Sequence, residues 1–281
     1  MNKKITIIFV SYHSNKKILK FLKQLKNKFK VIIVENSKDY SLLKIIKRYK
    51  NVTAIITNKN KGFGAGSNIG LKKIKTKYAL QLDLDTTISN NSIIKLIEKA
   101  DSLNNFTILG PRISNFKYKP EHFIKKKIAK NIHKMNFIDG SCLLFDMKKI
   151  KKIGYFDENF FLYFEETDLI KRCIKNKQNV FMVDNIIMSH KGGSSVDSKL
   201  NKEIEINRNW HYMWSKFYFY YKHNNYLIAL YEIKFHLISA ILKIIFYTIV
   251  PNRHKKRIYF ARFSGLINSM IFKKSWYRPK I

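Results

Sequence analysis

Cysteine, proline and acidic residues are all scarce in this chain. Two cysteines, Cys142 and Cys173, in 281 residues exclude a disulfide framework, and no CxxC or Cys/His spacing points to structural zinc. Such usage fits a reducing compartment. Only 4 prolines and 10 glycines, beside 46% hydrophobic and 14% aromatic residues, exclude a disordered or low-complexity binder, which could not bury a core. The shortage of acid is the sharpest: 19 Asp and Glu stand against 55 Lys and Arg, a formal net charge of +36. That excess is mostly lysine and spread along the chain. Net charge governs solubility and non-specific attraction, not fold or chemistry. A secretory leader is not expected either. Lys3 and Lys4 precede a run from Ile5 to Val10 that is short and β-branched.

What is present is a regular alternation. The run Ile5–Val10 ends at Ser11-Tyr12-His13 and predicts a buried strand followed by a polar loop. Ile18, Leu22, Leu25 and Phe29 fall on one face of a predicted helix. Further strands are predicted at Val31–Val34, Val52–Ile56 and Tyr78–Leu82, with helices over Leu42–Tyr49 and Ala65–Ile74. Strands apolar throughout, alternating with amphipathic helices, imply a parallel sheet covered on both faces. Ligands of such sheets sit at the carboxyl ends of the strands, where Tyr12, Glu35, Asn36, Asp83 and Asp85 fall.

In a lysine-rich chain the acids are the informative minority. Asp83-Leu84-Asp85 follows a strand directly. If the segment stays extended, both carboxylates face one side and can hold a hard divalent cation. The plainer reading is a helix N-cap at Asp85, Thr86 or Ser89. Five acids crowd the aromatic stretch around Phe160 and Phe161: Asp157, Glu158, Glu165, Glu166 and Asp168. Mutual repulsion and desolvation raise the pKa of at least one such group, which prepares a general base. The plainer reading is a helix starting near Glu165, with acids favoured in its first turn. Gly62, Gly64, Gly66 and Gly70 mark a loop-to-helix junction where a backbone can approach a diphosphate. Their spacing matches neither a P-loop nor a dinucleotide fingerprint.

In order, these segments resemble a family 2 glycosyltransferase of the GT-A fold, of the bacterial rhamnosyltransferase-like kind. The resemblance runs over about residues 5–225. It rests on Ile8 to Tyr12, Val34-Glu35-Asn36-Ser37, Asn60 to Gly70 and Leu82-Asp83-Leu84-Asp85. Gly110-Pro111-Arg112-Ile113, Asp139-Gly140-Ser141, Gly154 to Asp168, and His190 with Gly192, Gly193 and Ser194 complete it. Glu35 stands where the family usually has aspartate, and Glu166 where its motif usually reads Glu-Asp.

The resemblance implies an α/β fold: a mixed, mostly parallel sheet flanked by helices, with a C-terminal helical extension. It implies an inverting transferase that moves a sugar from a nucleotide-diphosphate donor, dTDP-rhamnose or a UDP-sugar, to a lipid-linked or polysaccharide acceptor in surface glycan synthesis. Tyr12, Glu35, Asn36, Gly62, Gly64, Asn68, Asp83 and Arg208 would bind the donor. Asp85, Asp83 and His190 would ligate Mg²⁺ or Mn²⁺. Glu166 would be the general base, with Glu165 and Asp168 positioning the acceptor or supporting the base.

The domains expected are 1–225, catalytic, and 226–281, helical and membrane-associating. Tyr226–Val250 is nearly apolar but is interrupted by Glu232, Lys234, His236 and Lys243. It reads as an interfacial amphipathic helix rather than a spanning one. Arg253-His254-Lys255-Lys256-Arg257 then suits anionic headgroups. The expected location is cytoplasmic, peripheral on the inner face of a bacterial inner membrane. Two other classes compete: a basic nucleic-acid binder, for which no reading module exists and no specific nucleic acid is expected, and an inactive relative serving as an assembly partner.

Overall fold

The structure is a computed structural model and describes residues 2–103, 105–192 and 201–278. The chain divides into two compact units. The first comprises the chain through Phe156 and resumes at Glu166; the second comprises Asp157–Glu165 and the C-terminal helices.

The first unit is built on one ten-stranded sheet. Strands β1 (Asn2–Ser11), β2 (Phe29–Glu35), β3 (Val52–Ile56) and β4 (Tyr78–Leu82) alternate with helices α1 (Asn15–Leu25), α2 (Ser41–Ile46) and α3 (Phe63–Leu71). After the two-residue β5 (Thr86–Thr87) come α4 (Asn90–Ser102), β6 (Ile108–Ile113), β7 (Phe123–Ala129), β8 (Ile132–Met135) and β9 (Cys142–Asp146). Helices α5 (Met147–Ile153) and α6 (Glu165–Lys175) precede β10 (Val180–His190). The order is β3-β2-β1-β4-β9-β6-β10-β8-β7, with β5 paired to β10. Neighbours among β1 to β4 are parallel, as are β6 and β10, while β9 lies antiparallel between β4 and β6. The sheet is therefore mixed, and the antiparallel β8 and its hairpin partner β7 close one edge.

Both faces are covered because the strands are apolar on both. In β1, Ile5, Ile7 and Phe9 join one core with Ile18 and Leu22 of α1 and Ile93 and Leu96 of α4. Ile8 points the other way, into a core with Leu71, Ile150, Leu169 and Cys173. Val52–Ile56 and Tyr78–Leu82 are strands over the expected residues. Phe29, expected on the face of α1, instead begins β2. Lys26 and Asn27 adopt left-handed φ of 48° and 57°, which ends the helix and turns the chain into the sheet. The helix expected over Ala65–Ile74 is shifted forward, starting after Gly62, whose φ of 92° suits glycine.

The second unit packs α7 (Asn201–His223), α8 (Tyr226–Ile249) and α9 (Arg253–Met270). Residues 201–223, counted with the catalytic domain from sequence, group here with α8 and α9. A Cβ on Gly265 would lie 2.4 Å from the Trp210 carbonyl oxygen, so only glycine permits this approach of α9 to α7. The segment Asp157–Glu165 is fastened to α7. Ser215 Oγ donates to the Leu162 carbonyl (2.9 Å), and Lys222 and Tyr218 donate to Asp157 Oδ2 (2.7 and 3.0 Å).

Candidate active site

The sheet explains how distant residues meet. Carboxyl ends of parallel strands share one edge, so Ser11, Glu35 and Asp83 emerge together. The Asn36 amide donates to the Ser11 carbonyl there (2.7 Å). The antiparallel β9 begins where β4 ends, with Leu82 opposite Cys142. The loop before β9, Asp139-Gly140-Ser141, is thereby brought to the same edge, and the Asp83 amide donates to the Ser141 carbonyl (2.9 Å). β5 pairs with the end of β10, placing Thr86 opposite His190. That short ladder sets His190 beside the acidic turn.

The two aspartates do not lie in an extended segment as expected. Thr86 folds the chain back, its amide and hydroxyl both donating to the Asp83 carbonyl (3.3 and 2.8 Å). The turn, not strand alternation, makes the carboxylates converge. The plainer expectation also holds beside it, since Ser89 caps α4 by accepting from the Ser92 amide (3.0 Å).

Ligand atoms of Asp83, Asp85 and His190 all lie within 4.8 Å of one another. His190 Nε2 is 3.2 Å from Asp85 Oδ1 and 3.9 Å from Asp83 Oδ2, and its Nδ1 is 3.4 Å from Asp139 Oδ1. The charges explain one another. Hydrogen bonds to Asp139 and then Asp85 push the His190 imidazole up to about 10. Desolvation, then repulsion from Asp85, pushes the Asp83 carboxyl up to about 8, with Asp139 and Glu166 adding to it. The Asp83 side chain keeps 25% of its surface exposed, so this desolvation is crowding by neighbours, not enclosure. Three carboxylates around one imidazole exceed what a single imidazolium neutralises. Two carboxylate oxygens and one imidazole nitrogen form a donor set that fits Mg²⁺ or Mn²⁺.

Asp139 was quoted from sequence without a role. It lies 3.4 Å from the far nitrogen of His190, the place carboxylates take around metal-bound imidazoles. Against the desolvation of its burial, hydrogen bonds from His190 and Ser141 keep its carboxyl below the usual range. Only the antiparallel insertion of β9 reveals this placement.

Glu166, in the first turn of α6, is connected to the same loop. A Cβ on Gly140 would lie 3.1 Å from Glu166 Cγ. Burial, opposed by its own amide and that of Thr167 and reinforced by Asp139, pushes its carboxyl up to about 7. Asp168 is fully buried and accepts from Arg172 Nε (2.8 Å). Arg172 also donates to the carbonyls of Ile153 and Gly154 (3.0 and 2.9 Å), so this pair braces the loop after α5. Glu165 and Arg208 belong to the second unit. In that unit the pairing with Lys222 holds Asp157 below the usual carboxylate range despite its burial.

The expected donor-binding residues separate into two groups. Tyr12 and Glu35 stand at the ends of β1 and β2. Glu35 is fully buried; its Oε1 accepts from the His13 amide (3.2 Å) and Ser37 Oγ (2.6 Å), while Oε2 has no partner among the described residues. Asn36 and Asn68 serve the fold. Asn36 donates to the Gly62 carbonyl (2.8 Å) and accepts from the Lys61 amide (3.0 Å), fixing the loop before α3. Asn68 donates to the Phe156 carbonyl (2.9 Å) and accepts from its amide (3.0 Å). Gly66 and Gly70 set α3 against Val10 and Ile8 of β1, whereas Gly62 and Gly64 lie at the helix start. Gly193 and Ser194 lie outside the described residues.

An open α/β sheet with an acidic turn and a histidine at its carboxyl edge defines the GT-A class of nucleotide-sugar transferases. Solved structures share this fold. A mannosyltransferase from Pyrobaculum calidifontis, determined with GDP-Man and Mn²⁺, superposes with a TM-score of 0.59 at 10% identity, covering 96% of this chain and 88% of that one. S. aureus TarS 1-349 gives 0.57 at 15% identity, covering 95% and 89%. The family model for glycosyl transferase family 2 matches residues 6–174, and the chain belongs to that family. The low-salt glycan biosynthesis hexosyltransferase Agl10 of Haloferax volcanii is 24% identical over 196 residues. That match spans 63% of this chain and 63% of the relative.

Proposed function

We propose that the chain is a metal-dependent, inverting hexosyltransferase acting on a nucleotide-diphosphate sugar, with a glycan or lipid-linked hydroxyl as acceptor. The observation that carries this is the convergence of Asp83, Asp85 and His190 within 4.8 Å, joined to Glu166 through the Asp139–Ser141 loop. A bound Mg²⁺ or Mn²⁺ would neutralise charge on the leaving diphosphate. To become a ligand, His190 would give up its Nε2 proton and keep its Nδ1 proton, which it donates to Asp139. Glu35 Oε2, buried without a partner among the described residues, is suited to accept from a ribose hydroxyl or a base N–H, and Tyr12 stands beside it. Glu166 takes the acceptor's proton as its oxygen attacks the anomeric carbon, so one displacement inverts the centre. The relative that transfers hexoses supports a hexosyl group, among which rhamnose is a deoxy member. A panel of UDP-, GDP- and dTDP-sugars tests the reading. One donor should raise the melting temperature with Mn²⁺ present and lose that effect with chelator. A donor effect indifferent to chelator would overturn the metal assignment.

The second unit supports peripheral attachment to an anionic membrane on the cytoplasmic side. Among the described residues no helix is long and apolar enough to cross a membrane. Yet α8 presents Leu227, Phe235 and Ile249 at 73–75% exposure. Glu232 and His236 are half-buried, with His236 Nε2 2.6 Å from Lys216 Nζ on α7, while Ser239 and Lys243 stay exposed beside the apolar face, as in an interfacial helix. Vesicles containing phosphatidylglycerol should sediment with the protein, and Phe235→Asp with Ile249→Asp should release it. Sedimentation unchanged by that pair would reject this face.

A further inference from the structure

A cavity lies wholly within the helical unit, between α7, α9 and the segment after α9. Its volume is about 630 Å³, within the range of about 300–1,000 Å³ usual for small-molecule sites. The walls are aromatic. Trp210, fully buried, is stacked on Tyr277 with ring centroids 5.7 Å apart and planes 17° apart. Ala261 is buried on one wall, while Phe260 and Trp276 line the cavity yet remain 60% and 55% exposed. Large apolar side chains left half in water around a concavity mark a surface adapted to an apolar ligand.

The charged lining is cationic. Arg253, Lys256 and Arg257 come from the first turns of α9, and Glu203 from α7. Arg257 Nη2 is paired with Glu203 Oε1 at 2.6 Å, which neutralises the one carboxylate of the lining. Arg253 and Lys256 have no carboxylate partner among the described residues. Both indole N–H groups of the lining are engaged: Trp210 Nε1 donates to Ser264 Oγ (3.2 Å) and Trp276 Nε1 to Asn268 Oδ1 (2.9 Å). A sugar would need several free donors and acceptors for its hydroxyls, and a nucleobase would need groups to meet its polar edge. Beyond its charged groups the lining offers little more than the Tyr277 hydroxyl. It offers apolar walls with two uncompensated cations beside them.

We infer that this cavity binds a long-chain phosphate: one lipid phosphate, with its hydrocarbon against Trp210, Phe260 and Trp276 and its phosphate between Arg253 and Lys256. The exposed Ile249 and Val250 of the preceding helix end lie only a few residues from Arg253. A lipid entering from a membrane under α8 would therefore find the cationic side of the cavity next to the apolar face.

Two of the chain's 3 tryptophans line the cavity, so their emission reports occupancy without any activity assay. The failure of this inference is thus separable from failure of the transferase reading. Dodecyl phosphate, added to the full chain below its micelle concentration, should shift the emission saturably. Inorganic phosphate and dodecyl maltoside should leave it unchanged. Arg253→Ala with Lys256→Ala should weaken dodecyl phosphate by at least about tenfold, or about 1.4 kcal/mol. Lys16→Ala with Lys20→Ala, exposed on α1, removes the same charge elsewhere and should change the affinity less than about twofold. Equal weakening by both pairs would reduce the effect to diffuse attraction and overturn the inference. An equal response to dodecyl maltoside or to inorganic phosphate alone would overturn it on the unmodified chain, without any variant.

Discussion

Replacing Glu166 by glutamine should lower the rate of sugar transfer by about 10²–10⁴-fold, the usual contribution of a general base, and leave donor binding intact. Glutamine keeps the shape and the hydrogen bonds at the start of α6 but cannot accept a proton. In free-energy terms the expected loss is about 3–5 kcal/mol of transition-state stabilisation. The pH dependence gives an independent check. A base works when deprotonated, and burial raises Glu166 to about 7, so kcat/KM should fall as pH drops through the neutral range. A divalent cation nearby favours the charged carboxylate, so metal-loaded enzyme should show this limb at or below pH 7. The glutamine variant should lack it. Linkage runs the other way for stability. A carboxyl whose pKa is raised on folding favours the folded state most in acid, and that benefit is lost as pH rises from the ordinary carboxylate range to about 7. The fold thus holds this group where its charge is least welcome, as a base near neutrality requires. A glutamine variant with the wild-type rate would remove Glu166 from the chemistry.

The parts of the fold legible in the sequence are those where local pattern and tertiary demand agree. Tyr78–Leu82 is buried throughout because both sides of the sheet are covered, while the edge strand Val52–Ile56 is half-buried with Thr53 exposed, and the ends of both coincide with the loss of the apolar pattern. Phe29 shows the limit, since helical spacing alone cannot reveal that Lys26 and Asn27 turn left-handed before it. Asp83, Asp85 and Glu166 stand out in the sequence because acids are rare here and each sits at an element boundary, and Asp83 and Asp85 do converge with His190. The roles of other polar residues stand out less. Asn68 bonds the main chain of Phe156, 88 residues away, and Asp168 bonds an arginine one helical turn on. The partner of Asn68 is marked by no local signal, whereas Arg172 follows Asp168 at the i,i+4 spacing that favours pairing on a helix. Asp139 escaped assignment for a topological reason: it reaches the site only because β9 enters the sheet antiparallel. A rare acid just before a glycine and a buried strand was the one available clue.

Asp85→Ala should abolish the effect of Mn²⁺ on donor binding and reduce transfer by at least about 10²-fold, because the cation supplies several kcal/mol of charge stabilisation. Two of the three candidate ligands would remain, yet the consequence reaches beyond the lost oxygen. Asp139 and then Asp85 push the His190 imidazole up to about 10, so a cation must displace a proton to gain the imidazole. Metal affinity should therefore rise steeply with pH. Asp139 determines which nitrogen is released, so Asp139→Asn should weaken Mn²⁺ by about 10–100-fold, the usual effect of losing such a partner, even though Asp139 is not among the three ligands. The unloaded Asp85→Ala protein should melt no lower than wild type, because the repulsion that helps push Asp83 up to about 8 is relieved as the contact with His190 is lost. Calorimetric titration with Mn²⁺ at two pH values, with and without a nucleoside diphosphate, distinguishes these effects. If the alanine variant binds Mn²⁺ as tightly as wild type and with the same proton release, the acidic turn is not the cation site. In that case the convergence on His190 would be an ion-pair cluster that holds β5 to β10.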